Sequence, residues 1–110
     1  MFLACPRMKI RRKNSLVQKK IKVGTKYIQA YLIPFFEKNL IILLGKKGYV
    51  MCGYLDLVVA EKFHDPAIRI VGVSTIKEAL QSTVFECTSE AEKLGIYKNQ
   101  PIKETLKLIV

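Results

Sequence analysis

Cys52 lies in the stretch Gly48-Tyr49-Val50-Met51-Cys52-Gly53-Tyr54-Leu55-Asp56, an apolar run that meets a glycine and then, four residues past the thiol, a carboxylate. The pattern reads as a strand running into the first turn of a helix with the thiol at the junction. Unpaired N–H groups and the positive end of a helix dipole at such a junction lower a thiol pKa and attract small anions. Two chemistries follow. A thiolate could act as nucleophile, with Cys52 and Asp56 as catalytic candidates, or Tyr49, Gly53 and Tyr54 could hold a small ligand. Asp56 opposes the first, because a carboxylate one helical turn from the sulfur disfavours a second anion. With Gly53 as N-cap, Asp56 falls at the third helical position and reaches back to the cap. Burial as an inert small hydrophobe is the commoner fate of a cysteine.

No base stands close by. His64 is twelve residues along, about 18 Å on a helix axis, and beside Asp65-Pro66 it suits a helix C-terminus. Cys5, Cys52 and Cys87 are widely spaced, form no Cys-x-x-Cys pair and have one histidine for company. That set argues against structural zinc and for reduced, independent thiols in a cytoplasmic protein, with no metal and no cofactor implied. Gly45-Lys46-Lys47-Gly48 lacks the spacing and the Ser/Thr of a phosphate-binding loop and reads as a hairpin turn. These residues leave open whether the protein is an enzyme.

The net charge of +10 is unevenly placed. Nine basic residues and no acid precede Glu37, whereas the rest is nearly balanced. Arg11, Arg12 and Lys13 in the arm, with Lys20, Lys22, Tyr27 and Tyr31 beyond it, form an alternative nucleic-acid surface in which lysines meet phosphates and tyrosines stack on bases. The bland counterpart is a hairpin face kept soluble by lysines. The longest apolar run, Leu40 to Leu44, falls far short of the ~20 residues a membrane helix needs.

The elements that would position these residues follow from periodicity. Residues 1–14 read as a loosely ordered basic arm and 15–110 as a single domain. Within it, 15–34 forms a hairpin turning at Gly24-Thr25, a two-residue loop with glycine first, as in a type II′ turn. Val23 then faces Lys26. One face holds Val17, Ile21, Val23, Ile28, Ala30 and Leu32, and the other mixes lysine with tyrosine. Pro34 is expected to end the second strand.

The core, 38–110, opens with a strand over Leu40–Leu44 expected to be covered on both faces, and a partner strand from Tyr49. A helix over Gly53 to about His64 carries Leu55, Val58, Val59 and Phe63 on one stripe. Ile68–Val73 is the next strand, in a parallel crossover. Thr75-Ile-Lys-Glu78 is a capping box, Ser89–Leu94 a helix closed by Gly95-Ile96, and Pro101 opens a last helix burying Ile102, Leu106 and Ile109. The fold class is α/β (α+β): an antiparallel hairpin followed by a compact mixed-sheet core with three to four short helices. The apolar hairpin face needs cover that so short a chain is poorly supplied to give, which points to a homo-oligomer.

Gly48–Asp56, with Val71-Gly-Val-Ser-Thr-Ile-Lys-Glu-Ala-Leu80 and Ala91-Glu-Lys-Leu-Gly-Ile96, resembles the YunC-like family of small bacterial and archaeal proteins, a domain of unknown function. The resemblance spans roughly residues 16 to 108. It implies an N-terminal β region that mediates tetramerisation, joined to an α/β core, and supplies no substrate, cofactor or catalytic residue. Lys98-Asn99-Gln100-Pro101 departs from the glycine-rich segment of the family pattern. A purely architectural subunit of a larger complex is the remaining alternative.

Overall fold

A computed structural model describes residues 16–36 and 38–110. The basic arm, with Cys5, Arg11, Arg12 and Lys13, lies outside the described residues. Six strands form one sheet in chain order: β1 (Val17–Val23), β2 (Lys26–Phe35), β3 (Lys38–Leu44), β4 (Tyr49–Met51), β5 (Ala67–Arg69) and β6 (Glu86–Cys87). β4 and β5 run parallel, and the other neighbours are antiparallel. Four helices accompany them among the described residues: α1 (Leu57–Lys62), α2 (Ile76–Gln81), α3 (Ser89–Lys93) and α4 (Ile102–Ile109). The mixed sheet with short helices is the expected α+β class.

The first hairpin has the expected register, with Val23 opposite Lys26 and Val17 opposite Leu32. Gly24 has φ +65 while Thr25 is not among the residues with positive φ, as a type II′ turn requires. Pro34, expected to end β2, instead lies within it, opposite Asn39. The turn-flanking pair Val23–Lys26 is hydrogen-bonded, so even-numbered residues of β2 bond toward β1. Beyond Leu32 no described residue pairs with β2 on that side, so the donor Pro34 lacks is not needed there.

α2, α3 and α4 cover one face of the sheet. Ile28, Ala30, Ile41, Leu43, Val50 and Ile68 project into this core and meet Ile76, Ala79, Ala91, Ile102, Leu106 and Ile109. The apolar hairpin face is therefore largely covered from within the subunit: Ile28 and Ala30 are fully buried, and Ile21, Val23 and Leu32 pack at the margin. The uncovered side is the opposite one. α1 lies over only part of it, Ala60 against β5, and leaves Tyr31, Ile33, Leu40, Ile42 and Met51 half-buried and Leu44 exposed. β3 is thus buried on one face, not both.

Local signals fix the helix ends. Thr75 caps α2 by accepting from Glu78 N at 3.0 Å, while Glu78 Oε1 accepts from Ser74 N at 2.8 Å and Ser74 Oγ at 3.1 Å. The capping carboxylate thus reaches one residue further back than the standard box. α3 ends in a Schellman motif, Gly95 N to Glu92 O and Ile96 N to Ala91 O. Pro101 stands at the N-cap of α4, one residue before its expected place. Gly45 permits the β3–β4 turn to press on the end of α4, where Lys47 N donates to Ile109 O at 2.8 Å.

Candidate functional site

The helix after β4 begins later than its apolar spacing suggests, and this alters the surroundings of Cys52. Asp56 is the N-cap itself, its Oδ1 accepting from Val58 N at 3.0 Å and Val59 N at 3.4 Å. Gly53 and Tyr54 form a tight turn before it, closed by Leu55 N to Cys52 O at 3.0 Å. The physical reason is competition for one start: an aspartate side chain satisfies orphan N–H groups that a glycine cannot. Cys52 therefore does not occupy a helix N-terminus, and the Asp56 carboxylate is committed to the cap.

Cys52 instead directly follows β4, its N–H donating to Ile41 O at 3.2 Å. It is 4% exposed and unpaired. Beside it opens a cleft of about 700 Å³. The cleft exists because neighbouring strands have unequal lengths. β4 and β5 are three residues each, whereas the β2–β3 hairpin continues four residues past the Ile42–Met51 pair. At about 3.3 Å per residue, the hairpin overhangs the end of β4 by roughly 13 Å.

Phe36, Lys38 and Asn39 of that overhang make one wall. After β5 the chain turns at Gly72, φ +74, so the strand expected to reach Val73 stops at Arg69 and Val71–Ser74 makes the opposite wall. Asn39 Nδ2 donates to Ser74 O at 2.9 Å and ties the walls together. Cys52, Gly53, Tyr54 and Arg69 complete the lining. The opening thus sits at the carboxyl ends of two parallel strands, the position where α/β sheets bind ligands.

Among the described residues of the lining the charged side chains are Lys38 and Arg69, the latter ion-paired with Glu86 outside the lining. Arg69 is held firmly: Nη1 donates to Glu86 Oε1 at 3.2 Å, Nη2 to Gly53 O at 3.4 Å, and the guanidinium lies 5.6 Å from the Phe85 ring centroid. Its Nε is shielded from water and has no hydrogen-bond partner among the described residues.

The expected site residues do not all converge. Cys52, Gly53 and Tyr54 line the cleft, whereas Asp56 does not. Tyr49 stands at the other end of β4, its hydroxyl donating to Asp65 Oδ2 at 2.9 Å. Burial first, and then that carboxylate, pushes its pKa up from 10.0 to about 12. His64 adopts φ +61 at the end of α1 and is absent from the cleft. Burial, with Glu92 and Glu61 nearby, pushes the Cys87 thiol up, the wrong direction for a nucleophile. Among the described residues no group of three or more His, Cys, Asp or Glu could hold a metal, and no helix is long and apolar enough to cross a membrane.

Lys20, Lys22, Tyr27 and Tyr31 do share one face of the hairpin, with Lys20 Nζ 5.9 Å from the Tyr27 ring centroid. Sequence reasoning missed Phe36, Lys38, Asn39 and Arg69, which reach the cleft only through strand pairing. The signal within reach was Val71-Gly72-Val73-Ser74, a stretch that carries the family resemblance and that the fold brings against Cys52-Gly53-Tyr54.

Comparison with known proteins agrees with this architecture. The family described as "Domain of unknown function (DUF1805)" matches residues 51–109. The uncharacterized protein YunC of Bacillus subtilis (strain 168) is 36% identical over 81 residues, covering 70% of this chain and 80% of that protein. A crystal structure of a protein of unknown function from Thermoplasma acidophilum superposes with a TM-score of 0.83 at 30% identity, covering 86% of this chain and 93% of that one. Both the matched domain and the YunC relationship place this chain in the YunC-like DUF1805 family, to which it belongs.

Proposed function

We propose that the chain is a homo-oligomeric, cytoplasmic protein that binds a small anionic molecule in the cleft beside Cys52. The carrying observation is a cleft of about 700 Å³ at the carboxyl ends of β4 and β5 that is lined by Lys38, Arg69 and Asn39 and, among the described residues, by no acid. That volume falls within the range of small-molecule sites. Amide NMR during titration with acetate and with inorganic phosphate tests it. Shifts confined to residues 52–54 and 69–74, suppressed by Lys38→Glu, support the reading. No shift there at millimolar anion overturns it.

Binding fits the geometry better than thiol catalysis, because neither His64 nor Asp56 reaches the cleft to act as base. Iodoacetamide separates the two. Alkylation of Cys52 well below pH 8, faster than Cys5 or Cys87, supports an activated thiol, and full protection in the folded protein removes that role while leaving the binding role intact.

The uncovered sheet face supports the oligomer. Tyr31, Ile33, Leu40, Ile42 and Met51 form a half-buried apolar band that a second copy would cover, with the tetramer built through the β region. Ile42→Glu is expected to lower the mass seen by light scattering, and an unchanged monomeric mass in both proteins overturns the reading. The nucleic-acid alternative keeps one favourable observation, the shared face of Lys20, Lys22, Tyr27 and Tyr31. It requires RNA or DNA affinity that falls steeply with salt and weakens in Lys20→Glu with Lys22→Glu, and no binding at low salt removes it.

A further inference from the structure

We infer that the bare part of the sheet is covered by α1 of a second copy of this chain, so that two α1 helices lie side by side between two sheets; this rests on the reading of the chain as a homo-oligomer and names the element that makes the contact. α1 carries Leu57, Val58, Val59 and Ala60 in succession. A helix apolar on opposite sides is built to lie between two layers. Ala60 meets β5, yet Val58, almost opposite Ala60 at about 100° per residue, is 68% exposed, and Phe63 at the helix end is 70% exposed. The chain's own sheet covers one side of α1 only.

The two flanks of α1 differ, and the difference orients the partner. Glu61, next to Ala60, turns toward the β6 edge, where its Oε1 accepts from Ser89 N at 3.1 Å and Ser89 Oγ at 2.9 Å. Val59 and Phe63 lie on the opposite flank and so border the bare strip that holds Met51, Ile42 and Leu44. The face is therefore a step, with a helix ridge over β4 to β6 and an open shelf over β1 to β3. Such a step mates with itself about a two-fold axis along the strands, which sets each ridge on the other's shelf. The dimensions agree: strands about 4.8 Å apart put a helix over β2 and β3 roughly 10 Å from α1, the usual spacing of packed helices.

Charge fits the same arrangement. Lys20, Gln29, Leu44, Tyr49 and Ala67 form one row across this face, from the β1 edge to β5. Thr88 N donates to Ala67 O, so Ser89 and the Glu61 carboxylate it binds stand at the far end of that row. A two-fold axis along the strands keeps every residue at its own level and exchanges the two ends. Glu61 of the partner subunit thus comes down beside Lys20, while the Val59 and Phe63 flanks meet at the axis. Both charged groups keep their present contacts: a carboxylate has lone pairs beyond those Ser89 uses, and the Lys20 ammonium keeps its donors while it rests 5.9 Å from the Tyr27 ring centroid. An unrelated partner would need both an apolar helix and a carboxylate at that level, and a second copy carries them already.

The test is the mass of the full chain by light scattering over a dilution series. Val58→Glu charges the exposed side of α1 and is expected to halve the mass. Glu61→Lys and Lys20→Glu each raise the dissociation constant about tenfold, and the two together restore it, because the pair re-forms with its charges exchanged. Lys20 is exposed on β1, so its variant probes the contact without disturbing the fold. Val59→Cys gives a disulfide-linked dimer on mild oxidation that the parent chain does not. A mass lowered by Ile42→Glu but unchanged by Val58→Glu, or no rescue in the double variant, overturns the α1 assignment and leaves the oligomer standing. A parent chain of single-subunit mass overturns both, and protection of Ile42 in that monomer would assign the shelf to residues 1–15.

Discussion

The Tyr49 hydroxyl donates to Asp65 Oδ2 at 2.9 Å, joining the first residue of β4 to the segment that returns from α1 to β5. This bond closes the parallel crossover from the end opposite the cleft. The crossover is held at both extremes, by Tyr49 and Asp65 below and by Arg69 and Gly53 above.

That bond makes stability depend on alkaline pH. The Tyr49 hydroxyl keeps its proton more tightly in the folded state, with a pKa pushed to about 12 from the ordinary tyrosine value of 10.0. Its contribution is fully present below pH 10 and is lost as pH rises from 10 through 12. Tyr49→Phe is expected to cost about 1 kcal/mol at pH 7. In urea unfolding followed across pH, the gap between the parent and Tyr49→Phe should close between pH 10 and 12. A gap that stays constant there disproves the linkage.

Thr88 is a buried junction. Its Oγ1 donates to Asp65 O at 2.6 Å and accepts from Ala67 N at 3.0 Å and from Ala91 N at 3.3 Å. Thr88→Val keeps the shape and strands those partners, at a cost of about 3 kcal/mol. Thr88→Ser should recover most of it. Chemical denaturation of both variants checks the prediction, and equal stability of the two would show that shape rather than bonding matters.

α1 ends in a Schellman motif, His64 N to Glu61 O and Asp65 N to Ala60 O, with a histidine at φ +61 where glycine is favoured. His64→Gly is therefore expected to stabilise the protein by about 1 kcal/mol. The denaturation midpoint should rise with an unchanged slope. A fall would assign His64 a contact worth more than its strain.

Two glycines should respond in opposite ways. A methyl group at Gly45 would overlap the Ile109 carbonyl, whereas one at Gly53 meets no atom within 4 Å. Gly45→Ala should cost about 2 kcal/mol and Gly53→Ala less than about 0.5 kcal/mol. Thermal unfolding of the pair measures the contrast. A similar loss in both would mean that the turn after Cys52 is packed rather than open.

What the sequence disclosed was governed by how local the controlling interaction is. Gly24-Thr25 dictates the hairpin register through its own backbone, and Thr75 with Glu78, or Gly95 with Ile96, closes a helix end within six residues. Asp56 was harder to read, because Leu55, Val58 and Val59 fit a helix begun at Gly53 as well as one begun at Leu57, and only the cap decides. β6 is two residues long, too short for any periodicity. Cys52, Gly53 and Tyr54 could be singled out from their order in the chain. Lys38, Asn39 and Arg69 could not, since their place in the cleft depends on how far β2 and β3 outrun β4.

Ser74 has all of its polar groups engaged: its N–H and hydroxyl go to Glu78, and its carbonyl accepts from Asn39. A displacement of the hairpin tip therefore pulls on the first turn of α2, and fraying of that turn slackens the hairpin. The cleft cannot widen by the swing of a single loop. Its aperture is a shared coordinate of hairpin and helix, so a contact that clamps the hairpin from outside would also set how wide the cavity stands.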